Sequence, residues 1–197
     1  LAATGNLVYS TLFDAAINDV VLDANDNATV GGTASQTFPT TAGSYQPMSS
    51  GGIEGVIAKL NPTGSAITYG TFLGGGLQSD RVRGLAIDTA GNIYATGQTQ
   101  NTAFPTTVGA FDQTYNGGED GFVTKLNPAG SALVYSTFLG GIGRDEPFAI
   151  DLATNNDAFI WDAVHGTRSF YDFAASEGVN VTGLNFVNVT GISEDGL

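Results

Sequence analysis

The sequence predicts an all-β protein built from four-stranded repeats, read as the blades of a β-propeller or of part of one. Three observations carry this expectation. First, a phrase recurs: TGSAITYGTFLGG at 63–75 and AGSALVYSTFLGG at 129–141, with a shorter version, TGNLVYSTLF, at 4–13. Second, separate motifs return at one offset of 66 residues (104 minus 38). Phe38-Pro39-Thr40-Thr41 returns as Phe104-Pro105-Thr106-Thr107, Gly51-Gly52 as Gly117-Gly118, and Lys59-Leu60-Asn61-Pro62 as Lys125-Leu126-Asn127-Pro128. Third, the stretches between turn signals are short and rich in Tyr, Val, Ile, Phe and Thr, which favour a pleated, half-buried surface.

The second copy shows the expected unit most clearly. Its strands are placed at 82–88, 92–97, 121–126 and 132–139. They are divided by Ala90-Gly91-Asn92, by the segment 104–109 and by 127–130. The runs LAI, FV and ALVY are apolar without clean alternation, which marks strands covered on both faces. Blades stacked around an axis provide that cover. A solenoid competes, but 66 residues is long for one coil; a β-sandwich of divergent hairpins is a third arrangement. A helical period is visible only weakly, over 170–176.

Composition limits the function classes. The 197 residues suit one domain or two small ones, and an apolar share of 42% supports a packed core. Charged residues are only 13%, so the polar surface must come from Thr, Asn, Ser, Gln and Gly. A net charge of −13 argues against nucleic acid and anionic lipid as partners. Without cysteine there is no disulfide framework, thiolate metal site or cysteine nucleophile. No apolar run approaches the length of a membrane helix, so no membrane insertion is expected. The first residue is Leu1, and a mature or trimmed product is expected.

The order GLAIDTAGNIYATGQT, AFPTTVGAF, GGEDGFVTKLNPAGSALVYSTFLGG resembles the bacterial SBBP family, the beta-propeller repeat. The resemblance covers about residues 1–151, with copies at about 1–61, 62–127 and 128–151. It implies an exported or surface-attached protein, secreted or on the cell surface, and carries no catalytic residues. After Asp151 the pattern changes. NNDAFIWDAVHGTRSFYDF and the terminal VTGISEDGL resemble HAF-type extracellular repeats, with an AFIW strand, a GTRS turn and a GIS-DG strand. Residues 152–197 are therefore expected to continue the array as a divergent β-repeat, with one strand missing between Ile150 and Ala158.

Acids flank the expected first strand of each repeat. Asp19, Asp80 and Asp145 would form an arc at one mouth of a central channel, a candidate Ca²⁺ site, since hard cations take carboxylate oxygens. The competing role is in turns, where Asp bonds nearby backbone N–H groups. Asp23-Ala24-Asn25-Asp26-Asn27 alternates oxygen ligands like a calcium loop but lacks its glycine and late glutamate, so a turn is the better reading. Gly74-Gly75-Gly76 and Gly140-Gly141 lack the Lys-Ser/Thr of a phosphate loop and are read as turns needing positive φ. The single histidine, His165, excludes a two-histidine metal site and is placed in a hairpin turn. Tyr9, Tyr69 and Tyr135 recur in the copied phrase and are assigned to blade packing, with sugar stacking as the alternative. Trp161 is assigned to the core.

No catalytic constellation stands out, and repetition argues against one catalytic centre, although a carboxylate-based hydrolase stays open. The expected function is a non-enzymatic extracellular or surface module that self-associates or takes a partner protein completing the propeller. The alternative is a lectin with glycan sites between blades. No cofactor is required, Ca²⁺ being the one candidate.

Overall fold

The computed structural model describes residues 7–152 together with the strands at 158–162 and 166–169. The first sheet is β1 (Ala16–Leu22), β2 (Ala28–Ala34), β3 (Glu54–Leu60) and β4 (Ile67–Leu73). The second is β5 (Asp80–Ile87), β6 (Ile93–Thr99), β7 (Asp120–Leu126) and β8 (Leu133–Leu139). The third holds β9 (Ala149–Leu152), β10 (Ala158–Asp162) and β11 (Gly166–Ser169). Every sheet is antiparallel with its strands in chain order. No helix occurs among the described residues. The fold is all-β, made of four-stranded antiparallel blades, and the four strands expected in the second copy fall on β5–β8.

The apolar runs lacked alternation because both faces of the middle strands are covered. β3 and β7 are buried along nearly their whole length. The cover comes from the neighbouring sheet. β5 packs against β1, β2 and β3, and β9 packs against β5 and β6. One core therefore lies between the first two sheets, joining Ile57, Tyr69 and Leu73 to Val82, Leu85, Phe122 and Phe138. A second joins Ala86, Tyr94, Val123 and Leu139 to Ile150. The array is open, with the first and third sheets flanking the second.

Two recurring motifs have local jobs. In Lys-Leu-Asn-Pro, the Asn side chain builds the β3–β4 and β7–β8 turns. Asn61 Oδ1 accepts from Ser65 N at 2.9 Å, and Asn127 Oδ1 accepts from Ser131 N at 2.9 Å. The turn then needs glycine in the left-handed region, Gly64 at φ 64° and Gly130 at φ 63°. In Phe-Pro-Thr-Thr, the phenylalanine is buried and the second threonine straps the outer strand. Thr41 N donates to Gly70 O at 3.0 Å, and Thr107 N donates to Ser136 O at 2.9 Å.

The structure departs from expectation at three places. Gly74, Gly75, Gly76, Gly140 and Gly141 are not at positive φ. Gly74 and Gly75 are instead dictated by close approach: a Cβ would lie 2.5 Å from Asp80 Oδ2 at Gly74, and 2.3 Å from the Ala103 carbonyl carbon at Gly75. The strand expected to be missing between Ile150 and Ala158 leaves no gap in the pairing: β10 pairs directly with β9, Leu152 opposite Ala158 and Ile150 opposite Ile160. The GTRS segment expected as a turn is the strand β11, paired with β10. His165, the 170–176 segment and the GIS-DG segment lie outside the described residues.

Candidate functional site

The outer strands of the first two sheets, β4 and β8, lead through Gly74-Gly75 and Gly140-Gly141 into the first strand of the next sheet, and carboxylates gather at these two seams. At the first seam Asp80 is fully buried. Its Oδ1 accepts from the Thr99 hydroxyl, and its Oδ2 accepts from Gly75 N at 3.0 Å and Asn101 Nδ2 at 2.9 Å. Burial pushes its carboxyl above the ordinary range, and the Glu54 charge adds to this against the three hydrogen bonds. Glu54 is buried beside it and accepts from the Ser49 hydroxyl, Ser50 N, Gly51 N and Gln46 Nε2. Neutral donors thus satisfy both acids.

The second seam repeats this plan with fewer donors. Asp120 stands where the first seam has Glu54, and Asp112 where it has Gln46 (both 66 residues on). Asp120 Oδ2 accepts from Asn116 N at 2.8 Å, while Oδ1 is buried without a hydrogen-bond partner. Burial raises its carboxyl, and the charges of Asp145 and Asp112 raise it further. Asp145 Oδ2 accepts from Gly141 N at 2.9 Å, as Asp80 does from Gly75. Beside them Arg144 binds Glu119 at 2.5 Å and Glu146 at 2.7 Å, and Gln98 Nε2 donates to Glu119 at 2.6 Å.

Asp80 and Asp145 are therefore counterparts, and Asp19 is not the third of their set. Strand pairing puts Ile17 and Val82 at the same place before a bulge, so Asp19 stands where β5 has Gly84. Inside β1, Asp19 Oδ2 accepts from Leu85 N at 2.7 Å, and Asn18 Nδ2 donates to Val82 O at 2.7 Å. Both tie β1 to β5 across the seam. Asp19, Asp80 and Asp145 each serve their own local donors. Among the described residues no group of three His, Asp or Glu side chains is placed to hold a metal ion.

The sequence reading passed over a second recurring cluster. Lys59 Nζ lies 2.7 Å from Asp23 Oδ2, and Lys125 Nζ lies 3.3 Å from Asp88 Oδ2. Asp23 Oδ1 accepts from Asn25 N and Asn27 N at 2.9 Å, so the calcium-like stretch is a turn closed by its own aspartate. Asp88 does the same for Ala90 N and Asn92 N. Burial opposes ionisation at both, but the Asn and Lys donors outweigh it and hold both carboxyls low. The available signal was in view: two lysines at one repeat position, each with an Asp-x-x-x-Asn turn in its repeat.

The recurring tyrosines pack at the blade boundaries. Tyr69 is buried, with its ring against Gly130 of the next sheet. Tyr135 packs partly buried against the second core, edge-on to Tyr94. Burial pushes both phenols upward. Tyr9 lies against Gly64. Trp161 lies on β10.

The seams thus use their carboxylates to fasten turns and neighbouring strands. Open, stacked, four-stranded sheets of this kind define a propeller-type interaction module. The family model described as SBBP, beta-propeller repeat, matches residues 68–105, from β4 across the first seam to Phe104-Pro105. No curated protein matches the chain.

Proposed function

We propose that this chain is a non-enzymatic extracellular or cell-surface module whose blades associate with a further protein surface. One observation carries the reading. Val20 on β1 occupies the register position of Leu85 on β5, and Ile17 that of Val82. Leu85 is 3% exposed because the first sheet covers it, whereas Val20 is 57% exposed. The first sheet therefore presents, uncovered, the strand face that elsewhere receives a neighbouring blade. Contiguous apolar exposure of this kind marks an interaction surface. The low charge content and the Thr/Asn/Ser/Gly surface support an exported setting. The engagement of Glu54, Asp80 and Asp145 by protein donors supports a role without catalysis.

The test is binding of the labelled chain to intact cells, to itself and to a glycan array, with Val20→Asp alongside. Binding to cells or to itself that Val20→Asp weakens at least tenfold supports the reading. A glycan signal competed by a simple sugar replaces it with a lectin. Turnover of a substrate lost on changing one acid replaces it with a hydrolase, and no binding of any kind removes it.

A further inference from the structure

Glu54 and Asp120 hold the same place in the two seams, yet only Glu54 is fully satisfied. Its donors all come from the segment before its strand: Gln46 Nε2 at 2.9 Å, the Ser49 hydroxyl, Ser50 N at 2.5 Å and Gly51 N at 3.2 Å. The counterparts, Asp112, Tyr115, Asn116 and Gly117, all lie among the described residues. Asp112 has no proton to donate at neutral pH and brings a charge in place of the Gln46 amide. Tyr115 sets its ring edge-on to Phe138 instead. Asn116 N still serves Asp120 Oδ2 at 2.8 Å, but Oδ1 is buried with no partner, in a residue that is 0% exposed.

A buried acceptor without a donor is costly, and here a second acid stands beside it. The Asp120 and Asp145 carboxyls both border Gly140, where a Cβ would lie 3.1 Å from Asp120 Cγ and 2.9 Å from Asp145 Oδ2. The neighbouring guanidinium of Arg144 is already committed to Glu119 and Glu146. What would satisfy Asp120 is one N–H donor that also carries positive charge. A metal ion fits less well, because hard cations gather several bare oxygens. Asp112 already accepts from Thr114 N and Asn116 Nδ2, both at 2.7 Å, and Asp145 Oδ2 accepts from Gly141 N. The first seam shows the fitting group, the NH₂ head of a side chain placed 2.9 Å from the acid.

We infer that the second seam is a docking point for a lysine or arginine side chain of a basic partner protein, whose N–H head takes the place that the Gln46 amide fills in the first seam. A second copy of this chain is the poorer source, since six basic residues against nineteen acids make copies repel. Asp112 and Asp145 form a half-exposed rim, with Asn116 and Gly141 exposed beside them and Asp120 beneath. Entry requires the 112–118 loop, which carries no strand, to part from Gly143, to which Gly118 N donates at 2.9 Å. The rim charge draws a basic group in, and the bound head satisfies Oδ1. The free chain carries the deficit as lost stability, a common cost of a functional site. This rests on the proposed role as an interaction module and names the chemistry of its partner.

The experiment titrates the 197-residue chain, at physiological salt, with blocked serine–glycine peptides carrying lysine, arginine or, as the uncharged control, glutamine. The lysine or arginine peptide should bind and raise the melting temperature, and the glutamine peptide should do neither. Asp120→Asn removes the charge, and Asp112→Gln rebuilds the donor of the first seam. Each should keep the fold and weaken binding about tenfold or more. Asp26→Asn, an equal loss of charge in the exposed β1–β2 turn, should bind as wild type does. No binding by either basic peptide overturns the inference. So does binding that Asp26→Asn weakens as much, or that Asp120→Asn and Asp112→Gln leave unchanged. Ethylammonium binding as tightly as the peptide replaces the partner protein with a free amine. A calcium-induced rise in melting temperature that Asp120→Asn abolishes replaces it with a metal ion. Val20-dependent binding to cells without any peptide binding sinks the seam and leaves the broader function standing.

Discussion

Lys59 Nζ stands 2.7 Å from Asp23 Oδ2, and the pair repeats one blade later as Lys125 with Asp88 at 3.3 Å. In each case β3 or β7 is tied to the turn joining the first two strands of its sheet, so three strands are fastened at one end. The side chains of the first pair are 15% and 12% exposed, so water screens it only partly. In the second, Lys125 also donates to the Tyr94 hydroxyl and lies over its ring at 4.5 Å.

Removing one partner should therefore be costly. Lys59→Met leaves the Asp23 carboxylate short of a donor, and a loss of about 2 kcal/mol is expected, between exposed and buried pairs. Urea titration at neutral pH measures it. A change within error would show the pair to be dispensable.

The same pairs set the acid limb of stability. Asp23 and Asp88 have carboxyls lowered by folding, so they contribute stability above the ordinary carboxylate value of about 4. That contribution is lost as pH falls through their folded values. Melting temperature should drop below about pH 4, and Lys59→Met should drop less steeply than wild type.

Asp120 should behave in the opposite sense. Its carboxyl is raised by burial and by Asp145 and Asp112, so its ionisation costs stability, and the cost is relieved as pH falls through the raised value. Asp120→Asn should raise the melting temperature at neutral pH, by about 1–2 kcal/mol in stability. The gain should shrink on acidification. A variant less stable than wild type at neutral pH would mean that the charge itself is needed there.

Calcium provides a direct comparison. Asp80 has both oxygens engaged by Thr99, Asn101 and Gly75, so calcium and a chelator should give the same melting temperature. A calcium-dependent rise that Asp145→Asn abolishes would return Asp145 to a cation role.

Two glycines separate backbone strain from crowding. Gly109 has φ 79° with open space around it, so Gly109→Ala should cost only the left-handed penalty of about 1 kcal/mol. Gly130 has φ 63° and a Cβ position 2.5 Å from Tyr69 Cδ2, so Gly130→Ala should cost about 2–4 kcal/mol. Equal losses would mean that the Tyr69 ring can move aside.

The strands were legible because their chemistry is local. β-branched and aromatic runs bounded by Asn-Pro and Gly turns place β5–β8 within two residues of expectation. The 66-residue offset exposed the repeat because each blade solves the same packing problem. The turn role of Asp23 was also readable, since the bonding runs within five residues. Asp19 was misaligned because its counterpart on β5 is Gly84, a correspondence that only the pairings of β1 with β2 and of β5 with β6 reveal. The GTRS segment was read as a turn because its strand character comes from pairing with β10.

By itself the sequence determined the all-β class, the repeat length, the turn chemistry and the absence of cysteine chemistry, all of which follow from residue type and spacing along the chain. Only the tertiary structure decided which acids share a seam, which lysine meets which aspartate, and that Tyr9 lies on Gly64 as Tyr69 lies on Gly130. The reason is physical. A blade's faces are buried by residues about 66 positions away, and the energies of buried carboxylates depend on donors delivered by other strands. The exposure of Leu12 and the burial of Phe72 arise from the same phrase, and they differ because one has a sheet beside it and the other does not.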